Sequence, residues 1–272
     1  MEMVMETGIE GRVAMVTGAS QGIGRAIAEA LHREGAKVAL VARGRDKLEA
    51  VAESLGAGVF AVSADVTNES SLADAIVQTT EKLGPVDILV NNAGGLRSST
   101  GELFRPFAEV PDQDWIDTWE FNVLSVVRLC RALAPAMAAR GWGRIINISS
   151  ESGIQTDAVA VEYASAKAAL NILTKGIAKN YADSGVRVNV VSPAYVDTPI
   201  LRDLLAQQDG AEGVAPDDLA AHFMPSFRPN IDVGRPCTPE DVASAVVFLA
   251  SNGADFITGT NLRVDGGSVA AI

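Results

Sequence analysis

Two side chains four residues apart carry the most chemistry in this sequence: Tyr163 and Lys167, in "VEYASAKAAL" (161–170). The stretch is rich in helix formers, so positions i and i+4 share one helix face. A free phenol, with a reference pKa near ~10, exchanges protons poorly at neutrality. A neighbouring ammonium favours the phenolate and lowers that value. Such a pair can give a proton to a carbonyl oxygen or take one from an alcohol. The plainer reading is a surface contact between helical neighbours, but the whole chain holds only three tyrosines.

A second constellation lies near the start. In "VTGASQGIGRAIAEAL" (16–31), Gly18, Gly22 and Gly24 follow an apolar run and open an amphipathic helix. Glycines in that place let the backbone approach a pyrophosphate, which then sits at the positive helix N-terminus. NAD enzymes usually place an acid at the end of the next strand to hold the ribose 2′-OH. Here that strand reads "VALVARGRDKL" (38–48), with Ala42 where the acid belongs and Arg43 after it. A guanidinium there suits a 2′-phosphate and forfeits the 2′-OH bond. NADP(H) is therefore favoured over NAD(H). Gln21 is neutral where a second cation would strengthen that preference.

The elements that must position these groups alternate along the chain. Short runs rich in Val, Ile, Leu and Ala occur at 12–18, 37–42, 58–64, 86–92, 143–149, 186–192 and 261–267. They read as parallel strands buried on both faces. Helices are expected at about 22–34, 45–55, 69–83, 112–139, 161–182 and 239–251. The last starts with Thr238 as N-cap and Pro239 at N1. The fold class is α/β: a single doubly wound Rossmann-type domain over residues 1–272, with about seven parallel strands and helices on both faces. Residues 199–237 break the rhythm with scattered prolines, glycines and acids. They follow a strand's C-terminal end, so a substrate-binding lid is expected there.

Composition narrows the function class. The formal net charge of −12 argues against nucleic acid and anionic membranes as partners. No run is expected to be long and apolar enough to span a bilayer. The N-terminus "MEMVMETGIE" is acidic where a secretory signal would be basic. Cys130 and Cys237 match no metal or redox spacing. A cytoplasmic protein with reduced thiols and no metal is expected.

Taken together, these pieces resemble the short-chain dehydrogenase/reductase family over residues 11–267. The resemblance is carried by "TGASQGIG", "DV" at 65–66, "NNAG" at 91–94, Asn122, "SS" at 149–150, "YASAK" at 163–167, "PAYVDTP" at 193–199 and "VDGG" at 264–267. It implies a carbonyl–alcohol oxidoreductase with Tyr163 as general acid/base and Lys167 as its modulator and ribose ligand. Ser150, thirteen residues before Tyr163, would hydrogen-bond the reacting oxygen; Ser149 and Ser152 are its near neighbours. Asn122 would anchor a water leading to Lys167. The cofactor would be held by Gly18, Ser20, Gln21, Gly22, Ile23 and Gly24 of the phosphate loop, by Arg43, and by Asp65 and Val66 at the adenine. Asn92, Ala93 and Gly94 would line the adenosine side, and Pro193, Val196 and Thr198 the nicotinamide. Singly, each has a plainer role: Asn122 could satisfy backbone, Ser150 could form a turn, and Asp65 could open a loop.

Two departures stand out. The family usually has Pro-Gly where this chain has Pro193-Ala194, and alanine restricts positive φ. The segment 95–121 is longer than in many relatives and could form a second pocket wall with Leu96, Arg97 and Phe104. The runner-up function is an NAD-dependent alcohol dehydrogenase of the same family. A carrier-protein-specific ketoacyl reductase is a narrower option, but Gly141 and Ser184 stand where its cations are expected. A non-catalytic dinucleotide sensor is a further alternative; some members of the superfamily lose the tyrosine or lysine, whereas this chain keeps both, with Ser150 and Asn122. The resemblance also implies a homotetramer or homodimer built on the helices of Asn122 and Tyr163. "VLSVVRLCRALAPAMAA" (123–139) is apolar over more than one face, in keeping with that. Tyr195, Leu201, Leu204, Leu205, Phe223, Met224 and Phe227 are the lid's apolar candidates. Arg97, Arg202 and Arg228 are candidates for an anionic substrate.

Overall fold

Each apolar run becomes a strand: β1 (Val13–Thr17), β2 (Lys37–Ala42), β3 (Val59–Ser63), β4 (Ile88–Asn91), β5 (Gly143–Ile148), β6 (Val186–Pro193) and β7 (Asn261–Val264). This computed structural model describes residues 7–270; most of the acidic N-terminal stretch and the last two residues lie outside the described residues. The strands form one parallel sheet in the order β3-β2-β1-β4-β5-β6-β7. The chain winds outward one way from β1, then returns to β4 and winds the other way. A crevice is thereby left above the C-terminal ends of β1 and β4, where open α/β sheets bind ligands.

Period-2 alternation feeds two cores. Ala14, Val16, Val38, Leu40, Ile88 and Val90 pack beneath α1 (Gly22–Arg33), α2 (Arg45–Leu55) and α9 (Pro239–Ala250). Met15, Ala39, Val41 and Leu89 point the opposite way. They meet α3 (Glu69–Leu83), α5 (Ser125–Ala139) and α6 (Val161–Asn180). Burial on both faces explains why the strands read as continuous apolar runs.

The long helix expected over 112–139 is present but not uniform. α4 (Asp112–Trp119) joins α5 through one π turn, Glu120–Leu124, which contains Asn122. Against expectation, this 28-residue run is long and apolar enough to cross a membrane by length and composition. Half of its qualifying window is buried, and Val126, Leu129, Leu133 and Met137 pack on the sheet. A core helix of an α/β sheet passes the same compositional test.

Residues 199–237 are more ordered than their composition suggested. Thr198 caps α7 (Pro199–Leu205) by accepting from Leu201 N at 3.3 Å, with Pro199 preset at N1. α8 (Leu219–Phe227) tolerates Pro225 inside it. The two helices share a small core of Leu205, Leu219, Ala220 and Phe223, against which Tyr195 and Leu201 pack.

A buried polar chain seats α6 on the sheet. Asn91 Nδ2 donates to Asn147 Oδ1 at 2.8 Å across β4 and β5, and Asn147 Nδ2 donates to Thr174 Oγ1 of α6 at 2.8 Å. Thr174 in turn donates to Leu170 O at 2.7 Å. A buried group left unpaired costs about 1–3 kcal/mol. Asn147→Leu, which removes the oxygen acceptor of Asn91 Nδ2 and the donor to Thr174 Oγ1, should therefore lower the unfolding free energy by about 2 kcal/mol in a denaturant titration. Unchanged stability would mean that the chain does not fix the helix.

Candidate active site

The crevice above β1 and β4 opens into a cleft of about 540 Å³. Gly18, Ser20, Gln21, Gly22, Ile23, Gly24, Arg43, Asp65, Val66, Asn92, Ala93, Gly94 and Thr198 all line it, as the sequence predicts. The phosphate loop needs its glycines for stated reasons. Gly18 has φ +68°, and a Cβ on Gly24 would stand 2.3 Å from Gly18 O. At the N-cap of α1, Gln21 is extended and makes no side-chain cap bond, so the first backbone N–H groups of α1 line the cleft without a side-chain cap. One residue beyond the expected set, Thr17, holds the loop. Thr17 Oγ1 accepts from Asn92 N and Ala93 N at 3.0 Å each, and Asn92 Nδ2 donates back to Thr17 O at 2.9 Å. The signal for Thr17 was its place directly before the first glycine.

The far end of the cleft is cationic. Arg43 and Lys47 both line it, and among the described residues neither forms an ion pair, whereas Arg45 between them is paired with Glu49 at 3.4 Å. Lys47 was missed; it lies at i+4 from Arg43, across the N-terminus of α2. Arg97 is not in the substrate wall expected for it. Its guanidinium lies 3.7 Å from the centroid of Phe121, a cleft residue, and both Arg43 and Asp65 act on its charge. Burial pushes the Asp65 carboxyl up. Hydrogen bonds from Thr67 N and Oγ1, at 2.9 and 2.7 Å, and the Arg43 and Arg97 charges outweigh that and hold it below its ordinary value.

At the other end, the cleft runs into a cavity of about 290 Å³ through Ile23, Asn92, Gly94 and Thr198, which line both. Ser150, Tyr163, Lys167, Pro193 and Val196 converge there. The Tyr163 and Ser150 hydroxyls are hydrogen-bonded, and Ser150 Oγ accepts from Ser152 N at 3.1 Å. Ser149 instead donates to Lys167 O at 3.2 Å, which singles out Ser150 as Tyr163's partner. The Lys167 ammonium lies 5.5 Å from the Tyr163 ring centroid and donates to Ile148 O at 2.9 Å. Asn122 is set back from the cavities. Its Oδ1 accepts from Gly95 N at 3.0 Å, and its Nδ2 donates to Gly95 O and Thr118 O at 2.8 Å. A Cβ on Gly94 would stand 2.7 Å from Asn122 Oδ1 and 3.0 Å from Lys167 Nζ, so both groups press on that glycine.

Two electrostatic results differ from the reading of the pair in isolation. Burial raises the Tyr163 phenol above its ordinary value; the Ser150 bond lowers it and Glu151 raises it. Burial also pushes Lys167 down to about 7, so near neutrality the ammonium is only partly charged. The Pro193-Ala194 departure introduces no strain: among the described residues Ala160 is the one non-glycine with positive φ. Ala160, at φ +58°, is the N-cap of α6 and lines a third cavity of about 230 Å³ beside Tyr163. Leu96 and Phe104 line the same cavity, so they do form the second wall. A left-handed alanine costs about 1–2 kcal/mol.

Comparisons with known proteins cover nearly the whole chain. A family model described as enoyl-(acyl carrier protein) reductase matches residues 18–269. The chain is 38% identical over 258 residues to the 3-oxoacyl-(acyl-carrier-protein) reductase FabG of Escherichia coli (strain K12), covering 95% of this chain and 97% of that protein. It is 35% identical over 269 residues to the 2,3-dihydro-2,3-dihydroxybenzoate dehydrogenase of Bacillus subtilis (strain 168), covering 97% and 98%. Among solved structures, L-sorbose reductase from Gluconobacter frateurii complexed with NADPH and L-sorbose superposes with a TM-score of 0.88 at 34% identity, covering 98% of this chain and 100% of that one. A variant of actinorhodin polyketide ketoreductase with NADPH superposes at 0.83 with 32% identity, covering 94% and 96%.

The buried lysine has a measurable signature. Its folded value lies below the unfolded one, so between about pH 7 and ~10 the unfolded chain holds more protons at this site. The cost of burying the charge is therefore small at alkaline pH, grows as pH falls, and is fully present below about 7. Lys167→Met should gain stability relative to the parent as pH falls from 10 to 7, with a constant difference below. A difference in melting temperature independent of pH would refute the depressed lysine.

Proposed function

The chain belongs to the short-chain dehydrogenase/reductase family, an oxidoreductase acting on C=O and CH–OH groups, and from that premise we propose an NADP(H)-dependent reductase of a free ketone in which Tyr163 handles the proton. The observation that carries this reading is the meeting of Tyr163, Ser150 and Lys167 where the nucleotide cleft joins a second cavity. The uncapped α1 N-terminus and the glycine cradle that a Cβ would fill suit a pyrophosphate. A bound nicotinamide dinucleotide would supply or accept the hydride.

The chain's own groups divide the remaining work. Tyr163 donates its hydroxyl proton to the carbonyl oxygen in reduction and takes it back in oxidation. Ser150 hydrogen-bonds the same oxygen as charge develops there. Lys167 in its charged form favours the phenolate and binds the nicotinamide ribose. Asn122 holds the Gly94–Gly95 backbone beside that lysine. Asp65 and Val66 line the cleft and would hold the adenine; Pro193, Val196 and Thr198 line the adjoining cavity and would hold the nicotinamide end. Arg43, Lys47 and Arg97 leave positive charge without an ion-paired carboxylate at the adenine end, which favours a 2′-phosphate.

The charges near the substrate cavity favour a neutral free ketone. Arg202 is held by Asp197 at 2.6 and 2.9 Å and also by Asp217. Arg228 is held by Glu151 and Asp157; away from the cavity, at the opposite end of the strands, Arg140 is held by Val86 O at 2.6 Å and Asp87 at 3.3 Å. None of these arginines is left over to grip an anionic substrate or an acidic carrier. Residues 199–237 act as the lid, with Tyr195 and Leu201 in the cavity wall. Exposed Ile116, Trp119, Leu124 and Ile172 on α4, the π turn and α6 supply an apolar face for a homotetramer in the cytoplasm.

Tyr163→Phe should keep NADPH affinity and lose about 10²–10⁴-fold in turnover against a panel including L-sorbose and 3-oxoacyl thioesters. Retained turnover removes Tyr163 from the mechanism. In a fluorescence titration, Arg43→Ala should weaken NADPH about 10- to 100-fold and leave NADH little changed. Equal weakening of both would overturn the NADP(H) preference.

A further inference from the structure

Arg228, just beyond α8, reaches across the substrate side of the site. Its Nε donates to Glu151 Oε1 at 2.7 Å, its Nη2 to Asp157 Oδ2 at 2.6 Å and its Nη1 to Phe227 O at 2.7 Å. Glu151 directly follows Ser150 and is 5% exposed. Its second oxygen accepts from the Ser268 hydroxyl. Asn230, two residues past Arg228, donates to Ser268 O and, at 3.1 Å, to Ser268 Oγ. Glu151 lines the 290 Å³ cavity and Asp157 the 230 Å³ one; Tyr163 and Arg228 line both. One guanidinium therefore ties the end of the lid to carboxylates that bracket Tyr163.

The proton chemistry proposed above makes no use of Glu151, and a buried carboxylate beside a phenol opposes its ionisation. The charged groups around Tyr163 are Lys167 on its own helix, Glu151 after β5, Asp157 in the loop before α6, and Arg228 from the lid. Tyr195, on the β6 side, is neutral, its phenol pushed up to about 12. Arg228 is the cation that closes this circle.

We propose that Arg228 is a positioning residue, a clasp that fixes the 199–237 segment over Tyr163 and cancels the charge of the buried carboxylate beside it. This rests on the reading of Tyr163 as the proton-transfer group. Without Arg228 the Glu151 charge stands alone next to the phenol, and the lid loses its ion pairs to the rim of the site.

The test follows the phenol directly and needs no substrate. The Tyr163 ionisation midpoint is obtained from phenolate absorbance as the difference between each protein and its Tyr163→Phe counterpart. Arg228→Ala should raise that midpoint by about one pH unit. Adding Glu151→Gln to Arg228→Ala should bring it back, and Arg228→Lys should keep it near the parent value. NADPH affinity by fluorescence checks that the main nucleotide cleft, which neither Arg228 nor Glu151 lines, is intact in all three. Limited proteolysis within residues 206–218 should be faster in both Arg228→Ala proteins. An unmoved midpoint in Arg228→Ala, or a raised midpoint that Glu151→Gln does not reverse, overturns the charge-cancelling role. Unchanged proteolysis overturns the clasp. If Tyr163→Phe retains turnover, the reading of Tyr163 fails, but the midpoint still reports on Arg228.

Discussion

Two amides side by side in an apolar sheet have few ways to be satisfied. Asn91 and Asn147 bond to each other across β4 and β5, and Asn147 bonds onward to Thr174. Sliding α6 by one residue would break that chain and leave polar groups stranded in hydrocarbon. Hydrophobic contact alone tolerates such slips; directional bonds do not. The seating of α6 then carries forward along the helix. Two turns before Thr174, Lys167 reaches Ile148 O at the end of β5, and one turn earlier Tyr163 meets Ser150. The reactive cluster is thus referenced to the sheet through bonds that never touch a ligand.

Charge is distributed unequally along the trough. The end of the trough beside Asp65 keeps Arg43, Lys47 and Arg97 without ion pairs among the described residues, on a protein whose formal net charge is −12. Positive charge outside any ion pair, balanced only at longer range by Asp65 and Asp117, is a local exception on an acidic body, and the cleft focuses its field. At the substrate end every arginine near the cavity has a carboxylate partner. One end is suited to recognising an anion and the other to keeping its own charges out of the chemistry.

Much of this was legible in the sequence because parallel strands buried on both faces announce themselves as continuous apolar runs. The seven strands lie within a few residues of the expected ranges, and the six expected helical ranges are filled by α1, α2, α3, α4 with α5, α6 and α9. The phosphate loop was legible because only glycine fits where Gly18 O crowds Gly24. What was not legible depends on where a side chain points after folding. Arg97 turned to Phe121 rather than the substrate wall, and the roles of Glu151 and Lys47 required neighbours from distant segments. The direction of the Tyr163 shift was missed because burial is a tertiary quantity. The plainer roles of Asn122, Ser150 and Asp65 are also real: each has a backbone partner that holds it in place. Residues 199–237 defeated composition-based reading because α7 and α8 draw stability from a shared core, not from propensity.

The site is assembled from Gly18 at one end of the sequence to Arg228 at the other, across strands that pair only in parallel. β1 meets β4 through Ala14 and Ile88, and β5 meets β6 through Gly143 and Val186. Each such pairing closes a long loop before any contact offsets its entropy, and topologies of this kind fold slowly. The glycine cradle after β1 and the hydroxyls after β5 and on α6 meet only once β1 has paired with β4 and β4 with β5. A dinucleotide spanning both ends would bind the folded site and not the unfolded chain, and so would stabilise the fold. The ligand would act as a late inspector of folding, rewarding completion without guiding the path to it.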